Sequence, residues 1–310
     1  MSNDRPNHDE RITREPGIEA IIEMLSERIS GAGLNTLLLE VFKSRAPRST
    51  ASELLKKYQA NRFVQPASVN PLELKQLELD VLRIADSRSA TPVQLSPVAP
   101  LGACSAIATV DQNKVISALR GTEVVSDATN LLALHICDLM KSRIRSNRDD
   151  FIRFSTTHRH VRAQYFGSAP GMLPHFHLFC MVTSGIDRGS YSFEKQAFRE
   201  HISVYQDIFQ TLFHSELEIV LSIRDGYKDA EGLVERILQD GEQRSVKTSV
   251  KEPNLNNPYY KGLQFTIQTT INGREFMIGD GGFVDWSQQM LGNKKERMLI
   301  SAIGLDRLLM

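Results

Sequence analysis

The sequence has few cysteines and no long apolar run. Its 310 residues include three cysteines, Cys104, Cys137 and Cys180, which are widely spaced and odd in number. This usage argues against a disulfide framework and favours a reducing compartment, so we expect a cytoplasmic protein. No stretch approaches the roughly 20 apolar residues of a membrane span, and residues 1–14 lack the apolar centre of a signal peptide. Membrane insertion and secretion are therefore disfavoured.

Charge of one sign is also missing. The chain carries 37 basic and 37 acidic residues, which gives a formal net charge of zero at pH 7. Proteins that bind nucleic acid through their overall charge need an excess of basic residues, so tRNA or DNA binding is a minority hypothesis. The sequence also contains no Walker-type phosphate loop, no dinucleotide fingerprint and no paired-cysteine zinc motif. Several common nucleotide-binding and metal-binding classes are thereby excluded.

The N-terminal fifth of the chain differs from the rest. Residues 1–15 are polar and are predicted to be disordered. Residues 16–68 carry apolar side chains at helical spacing, and Thr50 followed by Glu53 has the pattern of a helix-capping box. We therefore predict a helical extension over 16–68 in front of one large domain over 69–310.

Residues 69–310 combine alternating segments with helical ones. Helices are predicted to begin at Asn70, Asp127, Phe193 and Asp229. The segments with the period-two alternation of strands are 106–110, 115–119, 153–162, 175–182, 218–223, 263–269 and 275–278. Strands and helices without strict alternation favour an α+β domain, with helices packed on a mostly antiparallel sheet.

Several segments resemble the motifs of one family in the same chain order. Segment 157–164 (Thr-His-Arg-His-Val-Arg-Ala-Gln) with 175–179 (His-Phe-His-Leu-Phe) resembles the second motif of class II aminoacyl-tRNA synthetases, in its histidyl form. Segments 258–265 (Pro-Tyr-Tyr-Lys-Gly-Leu-Gln-Phe) and 281–285 (Gly-Gly-Phe-Val-Asp) are similar to histidyl-tRNA synthetases and to their paralogue that regulates ATP phosphoribosyltransferase. The end of the chain, 304–310 (Gly-Leu-Asp-Arg-Leu-Leu-Met), resembles the third motif. The resemblance implies a class II synthetase-like catalytic core.

The resemblance gives three residues a role at a nucleotide. Arg159 takes the position of the second-motif arginine, which grips the α-phosphate of ATP and the substrate carboxylate. Arg307 takes the position of the third-motif arginine, which meets the terminal phosphate, and Phe176 that of the ring that stacks on adenine. The simpler interpretation makes the arginines surface residues and Phe176 a core residue. On the family interpretation both arginines are catalytic, and ATP and Mg²⁺ are the implied cofactors.

Two departures from the histidyl pattern affect the expected substrate. Val161 stands where the family has an acid that holds the adenine amino group. Leu178 replaces the glutamine that recognises histidine, so histidine is disfavoured as the substrate. Together with Cys180 and Phe283, Leu178 predicts a pocket that is less polar than the histidyl one and suits an apolar acyl group.

Four residues are predicted to bind the substrate beside Leu178. Glu123 lies in a stretch similar to the family's Leu-Arg-Pro-Glu segment, whose acid binds the substrate amine, and Asp285 is a second candidate for that amine. Tyr259 and Tyr260 are expected to line the same pocket. For Glu123 a cap or a turn is the competing interpretation.

Histidines are concentrated on two predicted neighbouring strands. His158 and His160 form one His-any-His pair, and His175 and His177 form another. Four imidazoles on one face of a hairpin would fit a zinc site. If the arginine and the phenylalanine of this motif face the active site, however, the histidines face away from it and pack under a helix. We favour packing and predict no metal site.

Two hypotheses for function follow from the resemblance. The first is a ligase that uses ATP to activate an amino acid or a related carboxylate and passes the acyl group to a small molecule or a carrier protein. The chain stops at the third motif, so no anticodon-binding domain is expected and ordinary tRNA charging is disfavoured. The second is a catalytically silent paralogue that binds an amino acid or a nucleotide and regulates a partner. A homodimer is expected for either, because the loose match of 70–97 to the first motif implies one.

Overall fold

A large mixed sheet organises the chain. The computed structural model describes residues 17–142, 151–165, 167, 174–241, 246–251, 258–271 and 273–309. The predicted disordered segment 1–15 lies outside the described residues. Within them, no helix is both long enough and apolar enough to cross a membrane.

The strands and helices are numbered in chain order. The strands are β1 (Thr91–Pro92), β2 (Val98–Pro100), β3 (Ser117–Ala118), β4 (Thr122–Val124), β5 (Ile152–Val161), β6 (His175–Ile186), β7 (Leu217–Ile223), β8 (Lys247–Lys251), β9 (Lys261–Ile271), β10 (Arg274–Val284) and β11 (Glu296–Gly304). The helices are α1 (Ile18–Glu23), α2 (Gly31–Arg45), α3 (Ala51–Ala60), α4 (Pro71–Ser87), α5 (Ala103–Ile107), α6 (Ala128–Lys141), α7 (Ser192–Ile208), α8 (Ala230–Gly241) and α9 (Trp286–Leu291). A 3₁₀ turn, Asp306–Leu309, follows β11.

The main sheet has eight strands in the order β1-β5-β6-β11-β10-β9-β7-β8, and β2-β4-β3 form a small second sheet. Neighbouring strands of the main sheet are antiparallel except at its two edges, where β1 runs parallel to β5 and β8 runs parallel to β7. The predicted α+β class and mostly antiparallel sheet are confirmed.

Helices cover both faces of the main sheet. Val182 on β6 belongs to an apolar cluster with Leu132 of α6, whereas Phe179, of opposite parity on the same strand, packs against Tyr205 of α7 with ring centroids 6.2 Å apart. Burying a large apolar side chain of this kind contributes about 1.5–3 kcal/mol to stability. We call these two sides of the sheet the α6 face and the α7 face.

Local capping explains where the helices begin. The predicted capping box is present at α3, where Thr50 and Glu53 exchange hydrogen bonds between side chain and backbone. Asn70 Oδ1 accepts from Leu72 N–H (3.0 Å) in front of Pro71, as the sequence predicts for α4. Asp127 caps α6 in the same way.

One predicted strand is wrong. Residues 106–110 are not extended, because Gly102 adopts a left-handed conformation (φ 90°) and turns the chain into α5. Apolar alternation over so short a run does not distinguish a strand from one turn of a helix.

The first three helices lie outside the core. No side chain described in residues 17–60 is buried. These residues touch the main domain mainly through polar contacts, such as the Arg120 N–H that donates to Asn35 Oδ1 (2.8 Å). The division into an extension over 16–68 and a domain over 69–310 stays a prediction. We call residues 17–70 the N-terminal arm.

Candidate functional site

A cavity of about 500 Å³ opens on the α6 face of the main sheet. Its walls come from α5 and the following loop, the start of α6, the end of β5, the start of β9 and the middle of β10. This volume is typical of small-molecule sites, which span roughly 300–1,000 Å³.

The chain beyond β5 brings Arg162 and Gln164 into this cavity. The strand direction continues past Val161, because Ala163 N–H donates to the carbonyl of Lys114 (2.8 Å). Lys114 lines the same cavity, so this backbone contact places two cationic residues in one wall. Arg162 Nε–H donates to the carbonyl of Ser126 (3.0 Å), which fixes the side chain at the start of α6.

Arg159 lies on the other side of the sheet. In the antiparallel pairing of β5 with β6, Arg159 is opposite His177 and His160 is opposite Phe176. Directly opposite residues share a face, so Arg159 and Phe176 are on different faces, and the expectation that they share one is wrong. The exposed Arg159 guanidinium contacts His175 Nδ1 (2.7 Å) instead of the cavity. A direct role for Arg159 at the substrate stays a prediction, and the geometry favours Arg162 for that role.

Phe176 lies behind Arg162 at the edge of the cavity. Its ring stacks on His160 with centroids 5.9 Å apart, and the Arg162 guanidinium carbon lies 5.2 Å from the ring centroid. The fully buried His160 accepts the Ala128 N–H at Nε2 (2.8 Å), and Nδ1 lies 2.9 Å from a backbone carbonyl. Burial lowers the pKa of His160 to about 3, so the imidazole is neutral at pH 7. Phe176 is therefore oriented by a neutral ring on one side and a cation on the other.

Two tyrosines and two aspartates form the opposite wall. The Tyr259 hydroxyl donates to Asp127 Oδ2 (2.8 Å), and the Tyr260 hydroxyl lies close enough to the Asp280 carboxylate to act to lower its pKa. Asp280 also accepts from Gln264 Nε2 (3.2 Å). The pKa of Asp280 is raised, first by reduced hydration of its carboxylate and then by the charge of Asp127, although the residue is exposed to the solvent of the cavity. Tyr259 and Tyr260 thus line the cavity, and their contact with a substrate stays a prediction.

Cys104 is the sulfur in the cavity wall, and it is not activated. Its Sγ lies 2.9 Å from Ser126 Oγ, and Asn130 Nδ2–H donates to it (3.2 Å). Burial raises the pKa of the Cys104 thiol to about 11, so the reactive thiolate is scarce at pH 7. The arrangement supports binding rather than nucleophilic catalysis at this residue.

Glu123 serves the structure around the cavity rather than its lining. This fully buried carboxylate accepts from the backbone N–H groups of Gly102 (2.8 Å) and Cys104 (3.1 Å) and from Gln112 Nε2 (3.1 Å). It thereby caps α5 and anchors the loop that follows, which is the competing interpretation given by the sequence. Amine binding by Glu123 stays a prediction that this geometry does not favour.

Three further predicted residues do not line the cavity. Asp285 precedes α9 and accepts from Gln289 Nε2 (2.8 Å). Leu178 lies on the α6 face but packs into an apolar cluster under α6. Arg307 is exposed, and its Nη1–H donates to the carbonyl of Met277 (2.8 Å). Their roles at a ligand stay predictions.

The residues expected to make the substrate pocket apolar do not line this cavity. Cys180 and Phe283 are fully buried, and Phe283 belongs to the core on the α7 face. The wall they were expected to form is built from carboxylates, cations and tyrosine hydroxyls instead. The cavity therefore suits a polar or charged ligand.

The clustered histidines do not converge. His158 and His160 lie on the α6 face, whereas His175 and His177 lie on the α7 face, because each pair occupies one parity of its strand. One site cannot use all four imidazoles. Across the described part of the chain, no three His, Cys, Asp or Glu side chains are close enough together to hold a metal ion.

Sequence reasoning missed Lys114, Arg162, Gln164 and Asp280 as cavity residues, and assigned Asp127 only a capping role. A signal for two of them was present. Arg162 and Gln164 are two residues apart, as are the second-motif arginine and its acid, and an amide then stands where the acid is expected. Choosing this match instead of Arg159 shifts the motif by three residues.

The sequence matches no family model and no curated protein. Solved structures share the fold. The RNA binding domain of threonyl-tRNA synthetase from Cryptosporidium parvum Iowa II matches with a TM-score of 0.60 and 10% identity, over 76% of this chain and 62% of that one. This chain thus spans less than two thirds of that structure.

Two further structures cover more of their own length. An ATP phosphoribosyltransferase regulatory subunit/histidyl-tRNA synthetase from Bacillus halodurans C matches with a TM-score of 0.56 and 13% identity, over 79% of this chain and 82% of that one. Apo histidyl-tRNA synthetase from S. aureus matches with a TM-score of 0.56 and 11% identity, over 79% and 71%. Identities this low establish the fold alone. The chain has the fold of a class II aminoacyl-tRNA synthetase catalytic core, of the kind seen in histidyl-tRNA synthetases and in a regulatory relative.

Proposed function

We propose that the protein activates an amino acid or a related carboxylate as its adenylate, with ATP as the co-substrate. The observation that carries the proposal is that Arg162 and Gln164 line the cavity and that the Arg162 guanidinium lies 5.2 Å from the centroid of the Phe176 ring. ATP supplies the adenylyl group and releases pyrophosphate. The residues of the chain have to hold the two reactants together and stabilise the charge that develops between them.

Arg162 is the residue we assign to that charge. Arg162 Nε–H donates to the carbonyl of Ser126. The two terminal Nη groups are the ones that we assign to the ligand. A planar guanidinium can donate two parallel hydrogen bonds to a phosphate or a carboxylate, and such charge-assisted pairs are about twice as strong as neutral ones. Arg162 therefore takes the role that the sequence alone gave to Arg159.

Gln164 and Phe176 fit the adenine. Gln164 lies two residues after Arg162, and its amide oxygen can accept from the amino group of the base, which is the role of the acid in the family. The Phe176 ring lies under the Arg162 guanidinium. Stacking of the base on this ring then requires the guanidinium to swing from the ring toward the phosphates. We expect magnesium to bind together with the triphosphate, since no three His, Cys, Asp or Glu side chains among the described residues are placed to hold a metal ion.

The acceptor and the assembly complete the proposal. We infer transfer to a small molecule or a carrier protein rather than to tRNA, because the chain carries no net charge.

A homodimer is supported by the arm, where Ile22, Phe42, Leu54 and Leu55 are each at least half exposed. Light scattering across micromolar concentrations tests the dimer, and a monomer throughout would contradict it. The three buried, unpaired cysteines support a cytoplasmic location.

A second function is favoured by the position of Arg307. This arginine bonds to the carbonyl of Met277 and does not line the cavity, so the described structure has one fewer cation near a triphosphate than an adenylating site needs. The alternative is a catalytically silent paralogue that binds an amino acid or a nucleotide and regulates a partner. Arg162→Ala separates the two functions: in the ligase it should abolish ATP–pyrophosphate exchange that the wild type supports, whereas the regulator should show no exchange even in the wild type and still bind its ligand.

The test of the main proposal is ATP–pyrophosphate exchange in the presence of magnesium, with pools of standard and non-standard amino acids. We expect one pool to support exchange and Arg162→Ala to abolish it. Silence in every pool, together with a thermal shift caused by an amino acid or a nucleotide, would replace the ligase by the regulatory paralogue.

A further inference from the structure

The charges of the cavity wall are unevenly distributed. Three carboxylates line the cavity, those of Asp111, Asp127 and Asp280, against two cations, Lys114 and Arg162. The two counts give the wall a formal charge of −1. Lys114 belongs to the α5–β3 loop, and Arg162 extends from the end of β5 to the carbonyl of Ser126, next to Asp127. The tyrosine pair lies beside both aspartates: Tyr259 donates to Asp127, and Tyr260 lies close to Asp280.

The cations and the aspartates of the cavity wall can bind groups of opposite charge on one ligand. On the proposed function, Arg162 and Lys114 hold the carboxylate that is activated. Asp127 and Asp280 then remain for groups of positive charge. A neutral amino acid brings one positive and one negative group, so it leaves the charge of −1 in place, whereas an amino acid with a basic side chain neutralises it.

The aspartates are arranged for separate cationic groups rather than for one ion. No three acidic, histidine or cysteine side chains of the described residues come close enough together to hold a metal. Each aspartate instead has its own tyrosine neighbour: Tyr259 donates to Asp127 Oδ2, whose other oxygen accepts from Thr129, and Tyr260 lies close to Asp280. The two rings lie 4.8 Å apart, centroid to centroid, at 76°. Aromatic rings beside carboxylates form a favourable environment for ammonium and guanidinium groups.

The state of Asp280 supports the same conclusion. Reduced hydration of its carboxylate and the neighbouring Asp127 both raise the pKa of Asp280, which means that the wall disfavours a second negative charge beside Asp127. A cation bound between these walls removes the conflict, because an opposite charge favours the ionised carboxylate.

We propose that the substrate of this cavity is a basic amino acid or a close analogue, with its carboxylate at Arg162 and Lys114 and its two cationic groups at Asp127 and Asp280. The proposal rests on the proposed function only in assigning the activated carboxylate to Arg162. The preference for a second positive charge follows from the wall itself.

Binding of matched ligands to the full-length protein tests the preference without ATP. Lysine is compared with norleucine, and arginine with citrulline, by calorimetry at pH 7.5; each pair has nearly the same shape and differs by the side-chain charge. We expect the basic member of a pair to bind at least about tenfold more tightly, a difference of about 1.4 kcal/mol. Equal or tighter binding of norleucine or citrulline overturns the proposal.

Two variants locate the effect. Asp280→Asn should reduce the preference for lysine over norleucine to less than about threefold, and Asp127→Asn should do the same while keeping a residue type that caps α6. Asp138→Asn is the matched control, since Asp138 is an exposed aspartate of α6 outside the cavity, and the full preference should persist. If Asp138→Asn and the two cavity variants lose the preference equally, the assignment to Asp127 and Asp280 is overturned.

The exchange assay distinguishes this inference from the proposed function. Exchange supported only by neutral amino acids would keep the ligase and overturn the basic substrate. Silence with every amino acid, combined with lysine binding that depends on Asp280, would keep the ligand class and remove the ligase.

Discussion

A neutral, buried histidine makes the stability of this protein sensitive to mild acid. His160 is fully buried, and its Nε2 accepts the Ala128 N–H at the first turn of α6. A proton on Nε2 would face another donor, so the charged form loses this bond as well as its hydration. His201, buried against Thr183 and Ser301, is in a similar state. Burial lowers the pKa of each histidine to about 3.

The sign of the effect follows from proton uptake. In the unfolded chain a histidine titrates near pH 6.5, so below that pH the unfolded state binds a proton that the folded state refuses. The free energy of unfolding is therefore highest above about pH 7 with respect to these histidines, and it falls as the pH drops toward about 3. At pH 5 the solution is about 1.5 pH units below the pKa of an unfolded histidine. At about 1.36 kcal/mol per unit, each histidine then lowers the free energy of unfolding by about 2 kcal/mol relative to its value above pH 7.

Urea unfolding at pH 8 and pH 5 measures this loss. His160→Gln keeps an oxygen acceptor for the Ala128 N–H and removes the titration, so the loss between the two pH values should shrink by about 2 kcal/mol. His214→Asn is the matched control, because His214 is exposed and asparagine tolerates its left-handed backbone (φ 50°). An equal pH dependence in wild type and His160→Gln would refute the reasoning.

Three further predictions concern the arm and the close packing of β10. Thr50→Ala removes the capping box of the exposed α3, so circular dichroism should show less helix while the global free energy of unfolding falls by less than about 1 kcal/mol; a larger fall would mean that α3 is packed. A Cβ at Gly281 would lie 2.4 Å from a phenylalanine ring and 2.6 Å from a carbonyl, so Gly281→Ala should lower the free energy of unfolding in urea by about 2–3 kcal/mol. Gly31→Ala is the control: its Cβ meets no atom within 4 Å, so it should lower that free energy by less than about 0.5 kcal/mol. Equal costs would contradict the packing. Arg62 of the arm donates to the carbonyls of residues 163 and 164, so Arg62→Ala should weaken ATP binding several-fold in calorimetry, and unchanged affinity would show that the arm does not support this wall.

The fold was largely predictable because its signals are local. Helix caps at Asn70 and Asp127 are set by side chains within three residues of the helix start, and the long alternating runs of β5 and β6 are visible without knowledge of their neighbours. The resemblance to short motifs in the correct order added the architecture. Short segments such as 106–110 carried too few residues to distinguish a strand from a turn of helix.

The site was less predictable because it depends on strand register. Arg159 and Arg162 are three residues apart, and an odd shift along a strand moves a side chain to the opposite face. Which face meets α6 is decided by pairing with β6, which is remote in sequence. Asp280 also reaches the cavity through the pairing of β10, and the glycine pair that follows it marked the segment without marking this side chain.

The central claim is that Arg162, and not Arg159, faces the ligand. Calorimetric titration of ATP with magnesium into the Arg162→Ala and Arg159→Ala variants tests it most directly, because Arg159 lies on β5 facing away from the cavity and Arg162, just past the end of β5, lines the cavity. Loss of a charge-assisted bond to phosphate costs about 1.5–3 kcal/mol, so we predict at least a tenfold weaker affinity for Arg162→Ala. Arg159→Ala should stay within about twofold of wild type. Weak binding by Arg159→Ala with unchanged binding by Arg162→Ala would contradict the account.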